Sequence, residues 1–153
     1  MLLLCTQVSE GEINMYGLKI EHSFDSAHFL KGYEGKCANI HGHRWKVEVY
    51  ITSKELIDDG QQRAMIIDFK DLKKDVKNII DYYDHSLIIE VNSLNPKTKE
   101  CLLDEGFRII EVEFRPTAES FSKYFYDIIR EKGYELEKVV VYETPNNCAF
   151  YYE

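Results

Sequence analysis

The sequence predicts an antiparallel α+β domain. Residues 17–28 and 41–52 alternate apolar and polar side chains with the period of a half-buried strand. Residues 69–83 and 118–129 repeat apolar residues at helical spacing behind good N-caps. Strands come in pairs separated by helices, whereas a doubly wound parallel sheet would alternate strand and helix one for one. At 153 residues the chain fits one domain, able to bury roughly two thirds of the surface its unfolded form exposes.

The first strand runs from Gly17 to His28, with Ile20, His22, Phe24, Ser26 and His28 on one face. Leu30 to Asn39 holds two glycines and no periodicity, which makes it a loop. In HGHRWKVEVYIT, Trp45, Val47, Val49 and Ile51 alternate with Lys46, Glu48, Tyr50 and Thr52 as a second strand. Lys54 to Arg63 is polar around an Asp59-Gly60 turn, and Met65-Ile66-Ile67 returns to the core. Asp68 caps a helix carrying Phe69, Leu72, Val76, Ile79, Ile80 and Tyr83. A shorter helix starts at Asn95-Pro96 and stops at Gly106, and Phe107 to Phe114 follows as a strand. Thr117 caps a third helix with Ala118, Phe121, Phe125, Ile128 and Ile129, ending at Lys132-Gly133. Lys138–Glu143 and Cys148–Tyr152 close the chain as strands around Thr144-Pro145-Asn146-Asn147.

Composition narrows the function classes. Hydrophobic residues make up 44 % of the chain and there is no polar low-complexity tract, which excludes disorder. With 27 acidic against 19 basic residues, a net charge of −8, the chain lacks the basic stripe of a nucleic-acid surface. No stretch approaches the roughly 20 apolar residues of a membrane span. The opening Met1-Leu2-Leu3-Leu4-Cys5 has neither the charged leader nor the apolar length of a signal peptide, so a cytoplasmic location is expected. Cys5, Cys37, Cys101 and Cys148 contain no C-x-x-C pair and are expected as reduced thiols.

The chemistry gathers around His41-Gly42-His43. Side chains two apart on a strand share a face, so both imidazoles can reach one ion, and Gly42 leaves room for the close approach of another group. A hairpin between the first two strands places His28 beside them. Three neutral imidazoles with an open fourth position form the usual set for catalytic zinc. Cys37, four residues before His41, fits either a fourth ligand in a closed structural site or a thiolate held near the metal as a base. Asp84-His85 fits a dipole-favoured histidine at a helix end, or a carboxylate–imidazole proton relay. Glu143 ends an apolar strand face. It is either an exposed strand end or, if buried, a carboxylate able to recognise the amino-imino edge of a pterin or guanine ring.

In chain order, FDSAH (24–28), KC-x₃-HGH (36–43), IDF-x-x-LK (67–73), DH (84–85), PTAE (116–119) and ET (143–144) resemble the 6-pyruvoyltetrahydropterin synthase family. The C-x₃-HGH spacing is similar to the branch of bacterial and archaeal 6-carboxytetrahydropterin synthases of queuosine biosynthesis. Relatives with glutamate in place of the cysteine are disfavoured by Cys37. The resemblance implies a tunnelling fold (T-fold), a small antiparallel sheet with two to three helices on one face, in a single domain over 17–153 after an extension over 1–16. It implies zinc on His28, His41 and His43, Cys37 as general base, Asp84 and His85 as its relay, and Glu143 as the pterin anchor. Thr117 and Glu119 match positions near the ring. The implied substrate is 7,8-dihydroneopterin triphosphate, with 6-carboxy-5,6,7,8-tetrahydropterin, acetaldehyde and triphosphate as products. A pyruvoyl-forming synthase that only eliminates triphosphate, and a non-catalytic pterin- or purine-binding zinc protein, are the alternatives. A homo-oligomer, commonly a hexamer, with sites between protomers is implied as well. Lys31, Lys36, Arg44 and Arg115 are candidates for the triphosphate. Two segments depart from the pattern: Ser86-Leu87-Ile88-Ile89, where the family often has Leu-Asn, and residues 95–106, which are longer than in compact members.

Overall fold

The computed structural model describes residues 14–153. The expected extension over 1–16 and Cys5 therefore fall almost wholly outside the described residues. Strands β1 (Tyr16–His28) and β2 (His41–Ser53) form a long antiparallel hairpin whose register pairs Phe24 with Trp45, Ser26 with His43 and His28 with His41. On the β2 side the sheet continues antiparallel through β5 (Leu136–Thr144) and β6 (Asn147–Tyr151).

On the other side of β1 the expectation of an antiparallel sheet is corrected. β3 (Ser86–Glu90) pairs parallel with β1, and β4 (Ile109–Val112) pairs parallel with β3, so the sheet is mixed, in the order β4-β3-β1-β2-β5-β6. The β3 segment SLIIE carries no strand signal of its own, because a short apolar run has no alternation to betray it. Parallel neighbours need a crossover. Helix α2 (Pro96–Asp104) supplies the one between β3 and β4.

Alternation along β1 and β2 gives the sheet two different faces. One carries Ile20, Phe24, Trp45, Val47, Val49, Val139 and Val141, all buried. It is covered by α1 (Phe69–Ile80) through Leu72, Val76 and Ile80, and by α3 (Ala118–Arg130) through Phe121, Phe125 and Ile129. Both helices start where the sequence places them: Asp68 accepts from the Lys70 N–H (2.8 Å) and Thr117 from the Ser120 N–H (3.3 Å). Helix α2 is capped by Asn95 but buries no residue, so two of the three helices cover the core. The opposite face carries Glu48, which is buried and bonded by Lys46 (2.8 Å), Lys19 (3.1 Å) and Tyr50 (2.8 Å). Desolvation would raise the Glu48 pKa, but these three donors outweigh it and hold the carboxyl down at about 2. Among the described residues no helix is long and apolar enough to cross a membrane.

Candidate metal centre and its neighbouring dyad

The hairpin register brings His28, His41 and His43 to one end of the helix-covered face. Their ring centroids lie 4.4 Å (His28–His41), 5.0 Å (His41–His43) and 5.2 Å (His28–His43) apart. Trp45 floors the group, 5.0 Å from the His28 ring and 5.6 Å from that of His43. The hydrophobic core therefore ends directly beneath three imidazoles.

Backbone carbonyls orient two of the rings. His28 Nδ1 lies 2.7 Å from the Pro116 carbonyl and His41 Nδ1 lies 2.7 Å from that of Asn39, which fixes the N–H on Nδ1 and leaves the Nε2 lone pairs free. Those two Nε2 atoms are buried and have no hydrogen-bond partner. A buried acceptor without a partner is costly unless something fills the space in front of it. Burial pushes the His28 pKa down to about 4, against the Pro116 bond and with help from His41 and His43. Burial also lowers that of His43, against the pull of Glu143. Neutral imidazole is the form that binds a metal. Glu143 joins the group, its Oε1 lying 3.5 Å from His28 Nε2 and 3.6 Å from His43 Nε2. The ligand atoms of His28, His41, His43 and Glu143 all lie within 4.8 Å of one another. Three imidazoles aimed at one point above an apolar floor fit a zinc-like cation, with a carboxylate at hand and no thiolate among them.

Cys37 lies outside that group. It sits half-buried on a single 3₁₀ turn, Lys36–Ala38, in the loop that the Leu30 N–H closes onto the Cys37 carbonyl (2.8 Å). The described cysteines Cys37, Cys101 and Cys148 are free. Gly42 does not serve a close approach within the chain: a Cβ there would meet the Ser26 carbonyl at 3.5 Å, an ordinary contact.

Asp84 and His85 form a second, separate group. His85 Nδ1 lies 2.7 Å from Asp84 Oδ2, and Asp84 Oδ1 accepts from the Asp25 N–H at 2.8 Å. The Asp25 bond, then the His85 bond, hold the Asp84 carboxyl below the usual carboxylate range. The His85 N–H donates to the Asp25 carbonyl at 2.7 Å. His85 lines an open cleft of about 740 Å³ together with Asp25, Ala27, Gly42, Arg44 and Leu87. Asp25, Ala27, Gly42 and Arg44 alternate with the metal-facing residues and point to the opposite face, while Ser26 and His43 also line the cleft, so it reaches the rim of the metal group.

Thr117 and Glu119 are not drawn into either group. Thr117 Oγ1 caps α3, and Glu119 is exposed in its first turn. They stand next to Pro116, whose carbonyl orients His28. Among the basic candidates, Lys31 Nζ donates to the Asn92 carbonyl (3.1 Å), Arg115 donates to the Lys31 carbonyl (3.1 Å), and Arg44 lies 3.4 Å from Asp25. The orienting carbonyls of Pro116 and Asn39 have no signature in the sequence. A main-chain acceptor leaves no mark in side-chain identity, although Pro116 opens the PTAE motif.

A six-stranded mixed sheet, backed by helices on one face and ending in three histidines that could hold a cation, defines a T-fold protein. The sequence matches the family model "6-pyruvoyl tetrahydropterin synthase" over residues 17–153. The chain belongs to that family. It is 35 % identical over 142 residues to a 6-carboxy-5,6,7,8-tetrahydropterin synthase of Haemophilus influenzae, covering 91 % of this chain and 100 % of the relative. Two solved structures share the fold. A protein from Wolinella succinogenes superposes with a TM-score of 0.77 at 22 % identity, over 92 % of this chain and 99 % of its own. A Plasmodium vivax 6-pyruvoyltetrahydropterin synthase variant gives 0.67 at 19 % identity, over 92 % and 98 %.

Proposed function

We propose that the chain is a zinc-dependent 6-carboxy-5,6,7,8-tetrahydropterin synthase. It would convert 7,8-dihydroneopterin triphosphate and water to 6-carboxy-5,6,7,8-tetrahydropterin, acetaldehyde and triphosphate. One observation carries the reading: two buried, partnerless Nε2 atoms, of His28 and His41, face one point together with His43. The printed name of the Haemophilus relative supports the choice of reaction.

His28, His41 and His43 hold the zinc, which supplies Lewis acidity toward the oxygens of the substrate side chain. Cys37, near these histidines in sequence and outside their ligand group, removes a proton from the side-chain carbon as a thiolate. Asp84 keeps the His85 proton on Nδ1, so the His85 Nε2 is the atom that takes and returns a proton. Glu143 accepts from the amino-imino edge of the pterin, with Thr117 and Glu119 close to the ring. His85 and most of its cleft lie on the sheet face opposite His28 and His41, with only His43 of the trio reaching the cleft. That supports a homo-oligomer, a hexamer by resemblance, in which the dyad of one copy serves Cys37 of another. A cytoplasmic setting, where thiols stay reduced, suits Cys37 as a base.

The test is to load the protein with zinc, add 7,8-dihydroneopterin triphosphate, and identify the pterin by mass alongside an assay for acetaldehyde. Release of triphosphate without acetaldehyde would replace this reading with the pyruvoyl-forming one. Binding of the substrate without turnover would leave a non-catalytic pterin-binding zinc protein.

A further inference from the structure

We infer that Arg108 positions the Asp84–His85 dyad; the inference rests on the relay reading proposed above. His85 is held at φ +53°, in the left-handed region that non-glycine residues adopt in only a few per cent of cases, histidine more often than most. Such a conformation persists only where its surroundings over-determine it. Asp25 does this from one side, through its N–H to Asp84 Oδ1 and its carbonyl to the His85 N–H.

Arg108 does it from the other side. The residue directly precedes β4, and its carbonyl accepts from the Leu87 N–H at 2.9 Å, just beyond the dyad. Its guanidinium reaches back across the turn: Nη1 donates to the Asp84 carbonyl at 2.9 Å and Nη2 donates to the Tyr82 carbonyl. The guanidinium carbon lies 5.2 Å from the centre of the Tyr82 ring. Backbone and side chain of one residue thus bracket His85, tying down the carbonyl before it and the N–H two residues after it. A planar fork can span two carbonyls and lie over a ring at once, whereas a lysine ammonium cannot. Arg108 also lines the cleft that His85 faces, together with Asp25 and Arg44, the other charged side chains there. It stands at the turn into β4, one residue before Ile109, where it can reach both the dyad's backbone and the cleft.

The test compares the full-length protein with Arg108→Met and Arg108→Lys. Imidazole ¹⁵N resonances of His85, assigned with His85→Gln, report which nitrogen carries the proton. Steady-state kinetics separate kcat from KM, and zinc content and thermal unfolding are recorded beside them. Arg108→Met is expected to keep its zinc, to shift His85 from the Nδ1–H form toward the mixture of free imidazole, and to lower kcat by about 100-fold. KM should stay within about twofold. Arg108→Lys should restore part of the loss in kcat but not the single tautomer. A folded, zinc-loaded Arg108→Met with wild-type tautomer overturns the inference, and so does a loss of kcat that merely tracks zinc or unfolding. If Arg108→Met fails to fold, Arg108→Lys carries the same readouts. Absence of turnover in the wild type would overturn the relay reading, while the tautomer measurement would still decide whether Arg108 holds His85.

Discussion

Two groups of histidines in this small protein are built in opposite ways. His28, His41 and His43 stand at the end of the core, the Nε2 atoms of His28 and His41 have no hydrogen-bond partner, and the His28 side chain is only 1 % exposed. Asp84 has both side-chain oxygens paired, and the His85 side chain, 81 % exposed, leaves Nε2 free at the cleft. The first group leaves space and lone pairs that a cation could fill. The second is complete in itself and offers one free nitrogen to whatever enters the cleft. Desolvation favours neutral ligands in the first, and a carboxylate partner favours proton transfer in the second. The sheet largely separates them, since His28 and His41 alternate with the cleft's lining residues along β1 and β2, while His43 reaches the rim of both.

The sharpest way to break this division is to remove one member of each group. His41→Ala should reduce zinc from about one per chain to background and abolish turnover, because two imidazoles rarely hold zinc against solvent. Metal analysis of the purified protein checks it. Asp84→Asn should leave zinc in place and lower kcat by about 10²- to 10⁴-fold, since an amide cannot fix the same His85 tautomer. Zinc lost from Asp84→Asn, or kept by His41→Ala, would mean that the two groups are not separate. Cys37→Ala sharpens the boundary further, with zinc retained and turnover lost by a similar factor. A closed site with Cys37 as fourth ligand would instead release the metal.

Much of this arrangement is legible in the sequence, for physical reasons. The β1–β2 hairpin is visible because half-buried strands alternate, and a hairpin forces His28 beside His41. The caps of α1 and α3 are visible because Asp68 and Thr117 are chemically suited to them. The β3 strand is not, since a five-residue apolar run buried in a parallel position has no period. Nor does the sequence show that Glu143 lies within reach of the histidines, because that depends on how β5 registers against β2. Asp84-His85 can be recognised as a pair but not placed. Its position on the far face follows from β3, the strand that leaves no trace in the pattern.

Acid should separate the two groups as well. The native His28 pKa is about 4, below the ordinary 6.5, so between those values the unfolded chain binds more protons than the folded one. The stability this histidine lends to the zinc-free protein is therefore complete above about 6.5 and lost as pH falls toward about 4. The Asp84 carboxyl is lowered from 3.8, so its share is lost mainly as pH falls below about 4. Thermal unfolding of zinc-free protein should show His28→Gln flattening the loss between about pH 6.5 and 4, with Asp84→Asn leaving that slope unchanged. The opposite assignment of slopes would refute the burial argument for the trio.

The smallest effect belongs to the residue that lies between the groups. Gly42 separates two proposed zinc ligands, yet its own position faces the His85 cleft, and a Cβ there meets only the Ser26 carbonyl at an ordinary 3.5 Å. Glycine inside a strand is a conformational liability of about 0.5–1 kcal/mol relative to alanine. Gly42→Ala should therefore leave zinc binding unchanged and be neutral or stabilising by up to about that amount for the chain on its own. If a second copy closes over the cleft to bring Cys37 to His85, the added methyl stands in its path. Oligomer formation and kcat should then fall together while zinc content and the stability of the single chain hold. Sedimentation and turnover of Gly42→Ala read this directly: unchanged assembly with unchanged turnover would show that the His85 face meets no partner at Gly42.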